Sequence, residues 1–131
     1  MDMPRRKFLE AGLATAAIMN VAQDTFAQGK EMYGLIGKMT AAPGKRDQLI
    51  AILLEGTNDM PGCLSYIIAK DSTDDDSLWI TEVWDSKASH DASLSIPSVK
   101  EAIAKGRPMI AGFSNQTVTT PVGGYGLPKG R

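Results

Sequence analysis

The sequence predicts an α+β fold of six elements in the order β-α-β-β-α-β, with a four-stranded antiparallel sheet carrying its helices on one face. Three observations predict it. Short alternating apolar segments fall at 32–40, 63–71, 78–85 and 113–122. Segments with apolar residues at helical spacing separate the first strand from the second and the third from the fourth. The chain has 131 residues, of which 43% are hydrophobic and 22% charged, as befits one globular domain.

In the first strand, Tyr33, Leu35, Gly37 and Met39 share a face, and Ile36 and Lys38 share the other. Two glycines in one strand mean that something approaches its backbone closely. Ala42-Pro43-Gly44 is a turn. Residues 45–58 then run without proline, and Leu49, Ile52 and Leu53 form an apolar stripe that Ile50 and Leu54 widen. Gly56 and Asn58 signal the helix end, and Asp59-Met60-Pro61-Gly62 breaks the chain.

The second strand sets Leu64, Tyr66 and Ile68 against Ser65, Ile67 and Ala69. Residues 71–77 form a polar hairpin loop. Its Asp71, Asp74, Asp75 and Asp76 lack the glycine and terminal glutamate of the usual calcium loop, so they read as a solvated turn. The third strand sets Leu78, Ile80, Glu82 and Trp84 against Trp79, Thr81 and Val83, with apolar side chains on both faces. Residues 86–94 look helical until Pro97 interrupts. Ser98 and Glu101 then have the spacing of a capping box, with Val99, Ala102 and Ile103 behind them. The last strand alternates weakly, and 123–131 is a glycine-rich tail of docking or disordered character, with no helix after it to receive a phosphate.

This order is the ferredoxin-like, or split β-α-β, arrangement. Helices cover one sheet face. The apolar residues of the other face need a cover too, and in so short a chain the economical one is a second copy. The expectation is a homodimer with sheets face to face, a dimeric α/β barrel.

Composition excludes several function classes. With 14 basic and 15 acidic side chains, nothing points to nucleic acid or an anionic membrane as partner. The single cysteine, Cys63, forbids an intrachain disulfide and reads as a small buried hydrophobe. The single histidine, His90, makes a zinc hydrolase improbable.

The first residues differ from the rest. Arg5-Arg6-Lys7-Phe8-Leu9 precedes a run of small apolar residues from Ala11 to Ala22, and Thr25-Phe26-Ala27 ends it with a cleavage-like pattern. The run is shorter than the ~20 residues of a membrane span. It resembles a twin-arginine export signal over 1–27, followed by a linker at 28–31 and the domain at 32–122. The expected location is the bacterial periplasm or outside the cell, or the cytoplasm if the segment is not a signal.

Several segments together resemble the antibiotic biosynthesis monooxygenase family of dimeric α/β-barrel proteins. They are Lys38-Met39-Thr40-Ala41-Ala42-Pro43-Gly44-Lys45, Pro61-Gly62-Cys63-Leu64-Ser65-Tyr66, Trp79-Ile80-Thr81-Glu82-Val83-Trp84-Asp85-Ser86 and the stretch from Ala88 to Pro97. The resemblance implies a pocket between sheet and helices, and oxidation of a small quinol or polyphenol by dioxygen without metal or flavin. An electron-rich phenolate can itself pass an electron to dioxygen, so the protein must bind it, remove its proton and exclude water. Two other readings share the scaffold: a non-catalytic small-ligand-binding dimer, and a lactone isomerase or decarboxylase. The haem-degrading branch uses an asparagine, a tryptophan and a histidine where this chain has Gly37, Ser93 and Ile103, so haem is not expected. Quinol-type members often carry a histidine at the position of Ser93. Here His90 stands one helical turn earlier, on roughly the same face.

His90 is the candidate catalytic residue, because imidazole is the side chain that ordinarily titrates near neutrality. Trp84, Trp79 and Tyr66 are candidate walls for a flat aromatic substrate, although Trp84 also suits the sheet core or a dimer seam. Glu82 stands among apolar neighbours. It is either buried with a raised pKa and basic, or, as favoured here, paired with Lys38, Lys70 or Arg107. Asn58 could donate to a substrate oxygen, although its place at a helix end also accounts for it. Met39 and Met109 read as core filler.

Overall fold

The computed structural model describes residues 31–128. The proposed export signal and all but the last residue of the linker lie outside them. The alternating segments form β1 (Tyr33–Ala41), β2 (Cys63–Lys70), β3 (Ser77–Trp84) and β4 (Ile110–Thr119). They make one sheet in the order β2-β3-β1-β4, with every neighbour antiparallel. With α1 (Arg46–Gly56), α2 (Lys87–Ser93) and α3 (Pro97–Gly106), this is the α+β, ferredoxin-like arrangement that the alternation predicts.

Strand register puts Tyr33 opposite Trp84, Leu35 opposite Glu82, Gly37 opposite Ile80 and Met39 opposite Leu78. Cross-strand partners share a face, so these residues form the helix-covered side. Two apolar clusters fill the space beneath the helices. Leu49 and Leu53 of α1 pack with Ala41, Leu78 and Ile80, and Met39 and Met109 pack against them as filler. Trp84, Met60 and Val99 form the second cluster. Trp84 is 1% exposed and Leu49 and Leu78 are fully buried. Each such side chain contributes roughly 1.5–3 kcal/mol on leaving water.

Helices α1 and α3 cross closely at Gly56. A Cβ there would strike the Ala102 methyl and come 3.0 Å from the Ser98 carbonyl oxygen. The glycine that reads as an end signal is thus also what lets the two helices touch.

The second helical region differs from expectation. It splits into two helices, because Pro97 begins α3 rather than merely interrupting one. Proline suits the first helical turn, where its missing N–H costs nothing. The capping box therefore does not form. Ile96 holds the cap position without a side-chain bond, Ser98 Oγ donates to the Gly56 carbonyl at 3.2 Å, and Glu101 pairs with Lys105. The effective cap is Ser86, whose hydroxyl accepts from the Ser89 N–H at the start of α2. Strand β4 begins and ends three residues earlier than predicted. A 3₁₀ turn at Arg107–Met109 delivers Ile110 directly opposite Ala41.

The acidic loop is more ordered than a plain solvated turn. Asp71 Oδ1 accepts from the N–H groups of Thr73 and Asp74 and from the Thr73 hydroxyl. Its Oδ2 accepts from Trp79 Nε1 at 2.7 Å. Arg46 Nη1 reaches the carbonyls of Asp71, Asp74 and Ser77 and ties the loop to α1. Hydrogen bonds from the Thr73 N–H, the Trp79 indole and the Thr73 hydroxyl hold the Asp71 carboxyl far below its ordinary range. Cys63 is half-buried rather than buried, and burial raises its thiol pKa.

Candidate functional site

Between the helix-covered sheet face and the helices lies a cavity of about 580 Å³, within the range that takes a drug-sized ligand. Leu35, Met39, Ile80, Val99 and Ile110 give it apolar walls. Trp84, Glu82, Tyr66 and His90 line it, so four of the side chains singled out in the sequence meet in one space. Alternation explains part of this convergence. Glu82 and Trp84 are two apart on β3, and Tyr66 lies across from Glu82 on β2.

His90 enters from α2. Its ring lies 5.5 Å from that of Trp84, edge to face, and 5.2 Å from that of Tyr33. Such contacts fix the imidazole plane. Nδ1 is 3.0 Å from Asp91 Oδ1. The Lys87 ammonium, bonded to Asp91 at 2.8 Å, holds that carboxyl below its ordinary pKa. An ionised carboxylate only accepts, so Nδ1 carries the proton and Nε2 of the neutral ring is left as the acceptor. Ser93, one turn on, is buried, lines the same cavity and donates to the His90 carbonyl at 2.6 Å. The two helix positions weighed in the sequence do share a face.

Glu82 corrects the favoured reading. Among the described residues no cation pairs with it: Lys38 reaches Asp71, Lys70 reaches Asp47, and Arg107 lines the same cavity without a salt bridge to it. Its Oε1 accepts from Trp84 Nε1 at 2.8 Å. Burial raises its pKa, opposed by the Trp84 bond and the nearby His90. Lys38 belongs to the opposite strand face, whereas Lys70 shares the face of Glu82 but stands across from Leu78 and turns to Asp47. Burial likewise raises the Tyr66 hydroxyl well above its ordinary pKa, with Glu82 adding to the effect.

Two residues singled out in the sequence stand elsewhere. Trp79 is one residue out of phase with Trp84 and Ile80, so it faces the helix-free side, bonded to Asp71 with the Lys38 ammonium 6.0 Å from its ring centroid. Asn58 is exposed beyond the end of α1, and Thr57 lines the cavity in its place. Sequence reasoning missed Tyr33 and Gln116. Tyr33 was legible, since it shares a face with Leu35 and Met39. Gln116 was not, because a register shift decides its direction. Among the described residues no group of three or more His, Cys, Asp or Glu side chains could hold a metal, and no helix is long and apolar enough to cross a membrane.

The family model for antibiotic biosynthesis monooxygenases matches residues 32–105, more than half of the chain. The chain belongs to the antibiotic biosynthesis monooxygenase family. A solved structure from Chloroflexus aurantiacus J-10-fl, provisionally named as a member, is 64% identical with a TM-score of 0.73, over 74% of this chain and 99% of that one. A second, from Caulobacter crescentus CB15 and similarly named, shares the fold at 19% identity and a TM-score of 0.66, over 78% of this chain and 99% of that one. An uncharacterised Synechocystis protein is 31% identical over 78 residues, which make up 57% of this chain. This chain spans about half, 53%, of that relative's length.

Proposed function

We propose that this member of the family is a monooxygenase that oxidises a small quinol or polyphenol with dioxygen and needs no bound cofactor. The observation that carries the reading is the convergence of His90, Glu82 and Tyr66 on a mostly apolar cavity walled by Trp84. A flat aromatic ring fits such walls, and His90 Nε2 can accept the phenolic proton. The phenolate then gives an electron to dioxygen, and the radical pair collapses to a carbon–oxygen bond. For a hydroquinone the balance is one quinol plus one dioxygen giving one hydroxyquinone plus one water. One oxygen atom enters the ring and the other leaves with two hydrogens from the substrate.

The reading includes a homodimer. Ile36, Trp79 and Val83 lie on the helix-free sheet face, and Ile67 on the same face is 55% exposed. A second copy of that face offers a matching cover. It also includes export, supported by the basic, apolar and small-residue order of residues 1–27.

The test is anaerobic against aerobic turnover of a quinol panel in isotopically labelled dioxygen. One labelled oxygen per product supports the reading. Turnover that proceeds equally without oxygen overturns it and favours isomerase or decarboxylase chemistry. Saturable quinol binding without any turnover favours a binding module.

A further inference from the structure

The β1–β4 pairing shifts register at two places, between Thr40 and Ala41 and between Ile36 and Lys38, and the second of these bears on the cavity. Ile36 pairs with Thr117 and Lys38 with Ser114, so two steps along β1 match three along β4. The extra residue makes a bulge, and Asn115 within it has φ of 55°. That left-handed conformation is uncommon outside glycine, although asparagine tolerates it. The consequence falls on Gln116. Extended from the Lys38–Ser114 register, it would pair with Ile36 and face the helix-free side. With the bulge it turns to the cavity and lines it.

Gly37 makes room for it. A Cβ on Gly37 would meet the Gln116 amide, with Cδ and Oε1 each at 2.8 Å. The amide thus occupies the volume that a β1 side chain would otherwise fill. Gln116 is exposed, and its only hydrogen bond among the described residues is a long one, 3.4 Å from Nε2 to the Ser114 carbonyl, so Oε1 is open to a ligand or to water. Leu35, Met39 and Phe113 line the same cavity. Gly37 lies four residues along β1 from Tyr33, which touches His90, or roughly 13 Å of strand. The cavity therefore has the His90 imidazole toward one end and the Gln116 amide toward the other, with Leu35 and Glu82 between them. Bulges recur beside functional sites, where they re-aim a side chain.

We infer that Gln116 is a substrate-orienting residue, whose amide hydrogen-bonds the oxygen of an aromatic ligand remote from the one at His90. The inference rests on the proposed function for the identity of the ligand. The bulge at Asn115 and the missing side chain at Gly37 are what place the amide.

The test is ligand binding without oxygen, read by tryptophan fluorescence on the full chain. The probes are the naphthalenediol with one hydroxyl on each ring, and naphthol, which lacks the second. The diol is expected to bind about tenfold more tightly, the worth of one hydrogen bond. In Gln116→Leu that preference falls to near one. Gly37→Ala, which pushes the amide aside, has the same effect while Gln116 remains. Circular dichroism of both variants checks the fold. A preference unchanged in Gln116→Leu overturns this inference alone and leaves the oxidation reading standing. Failure of the wild-type protein to bind either probe overturns both.

Discussion

Two titratable side chains, His90 and Glu82, line the cavity beside Trp84. His90 is held by Asp91 in the tautomer that leaves Nε2 free to accept, and Glu82 is a carboxyl taken partly out of water. Because burial raises the Glu82 pKa above its ordinary 4.5, the folded chain binds this proton more tightly than the unfolded chain. Its contribution to stability is fully present below the unfolded value and is lost as pH rises through the folded value. Glu82→Gln has no such proton and keeps an acceptor for the Trp84 indole. Urea midpoints of wild type and Glu82→Gln taken between about pH 4 and 7 should therefore diverge, with the variant gaining relative to wild type as pH rises. Parallel curves would show that Glu82 is not desolvated. Asp91→Asn removes the carboxylate that fixes the tautomer. It is expected to lower kcat for a quinol by about tenfold or more, with a smaller change in KM. Equal kcat in the two proteins would mean that the His90–Asp91 contact does not serve the chemistry.

At the scale of elements, most of the fold was legible because hydrophobic period survives folding. The parity of β3 correctly put Glu82 with Trp84, and the stripe of α1 correctly turned Leu49 and Leu53 inward. The errors arose where tertiary contact overrode local pattern. Ser98 and Glu101 have the spacing of a cap, yet Pro97 starts α3 and Ser98 bonds Gly56 instead. Glu82 has three cations within plausible sequence reach, but strand parity sends Lys38 to the other face. Gln116 was illegible because one inserted residue reverses direction for everything beyond it. The contact at Gly56 makes its own prediction. Gly56→Ala must force α1 from α3, since the new methyl meets Ala102, and should destabilise by about 1–3 kcal/mol. Thermal unfolding measures it. An unchanged or higher Tm would show that the helices are not in contact there.

Taken over the described residues, the molecule is a sheet covered on one face. Its helix side is packed around a cavity, and its other side presents Ile36, Trp79, Val83 and Ile67. Charge placed in the centre of that second side should act on association rather than on folding. Val83→Lys is expected to shift sedimentation from dimer to monomer with little loss of secondary structure, since a buried lysine at a self-complementary interface faces its own copy. A wild-type chain that sediments as a monomer would remove the dimer from this account.

In the proposed reaction a quinol bound beside His90 is oxidised by dioxygen after losing its proton. Oxygen uptake by the full chain with a panel of quinols, compared with His90→Ala of matching thermal stability, tests it most directly. Quinol-dependent oxygen consumption is expected in the wild type, with a loss of about 10²–10⁴-fold in the variant, the usual worth of a general base. Consumption that is no faster than without protein, or that is undiminished in His90→Ala, would contradict it.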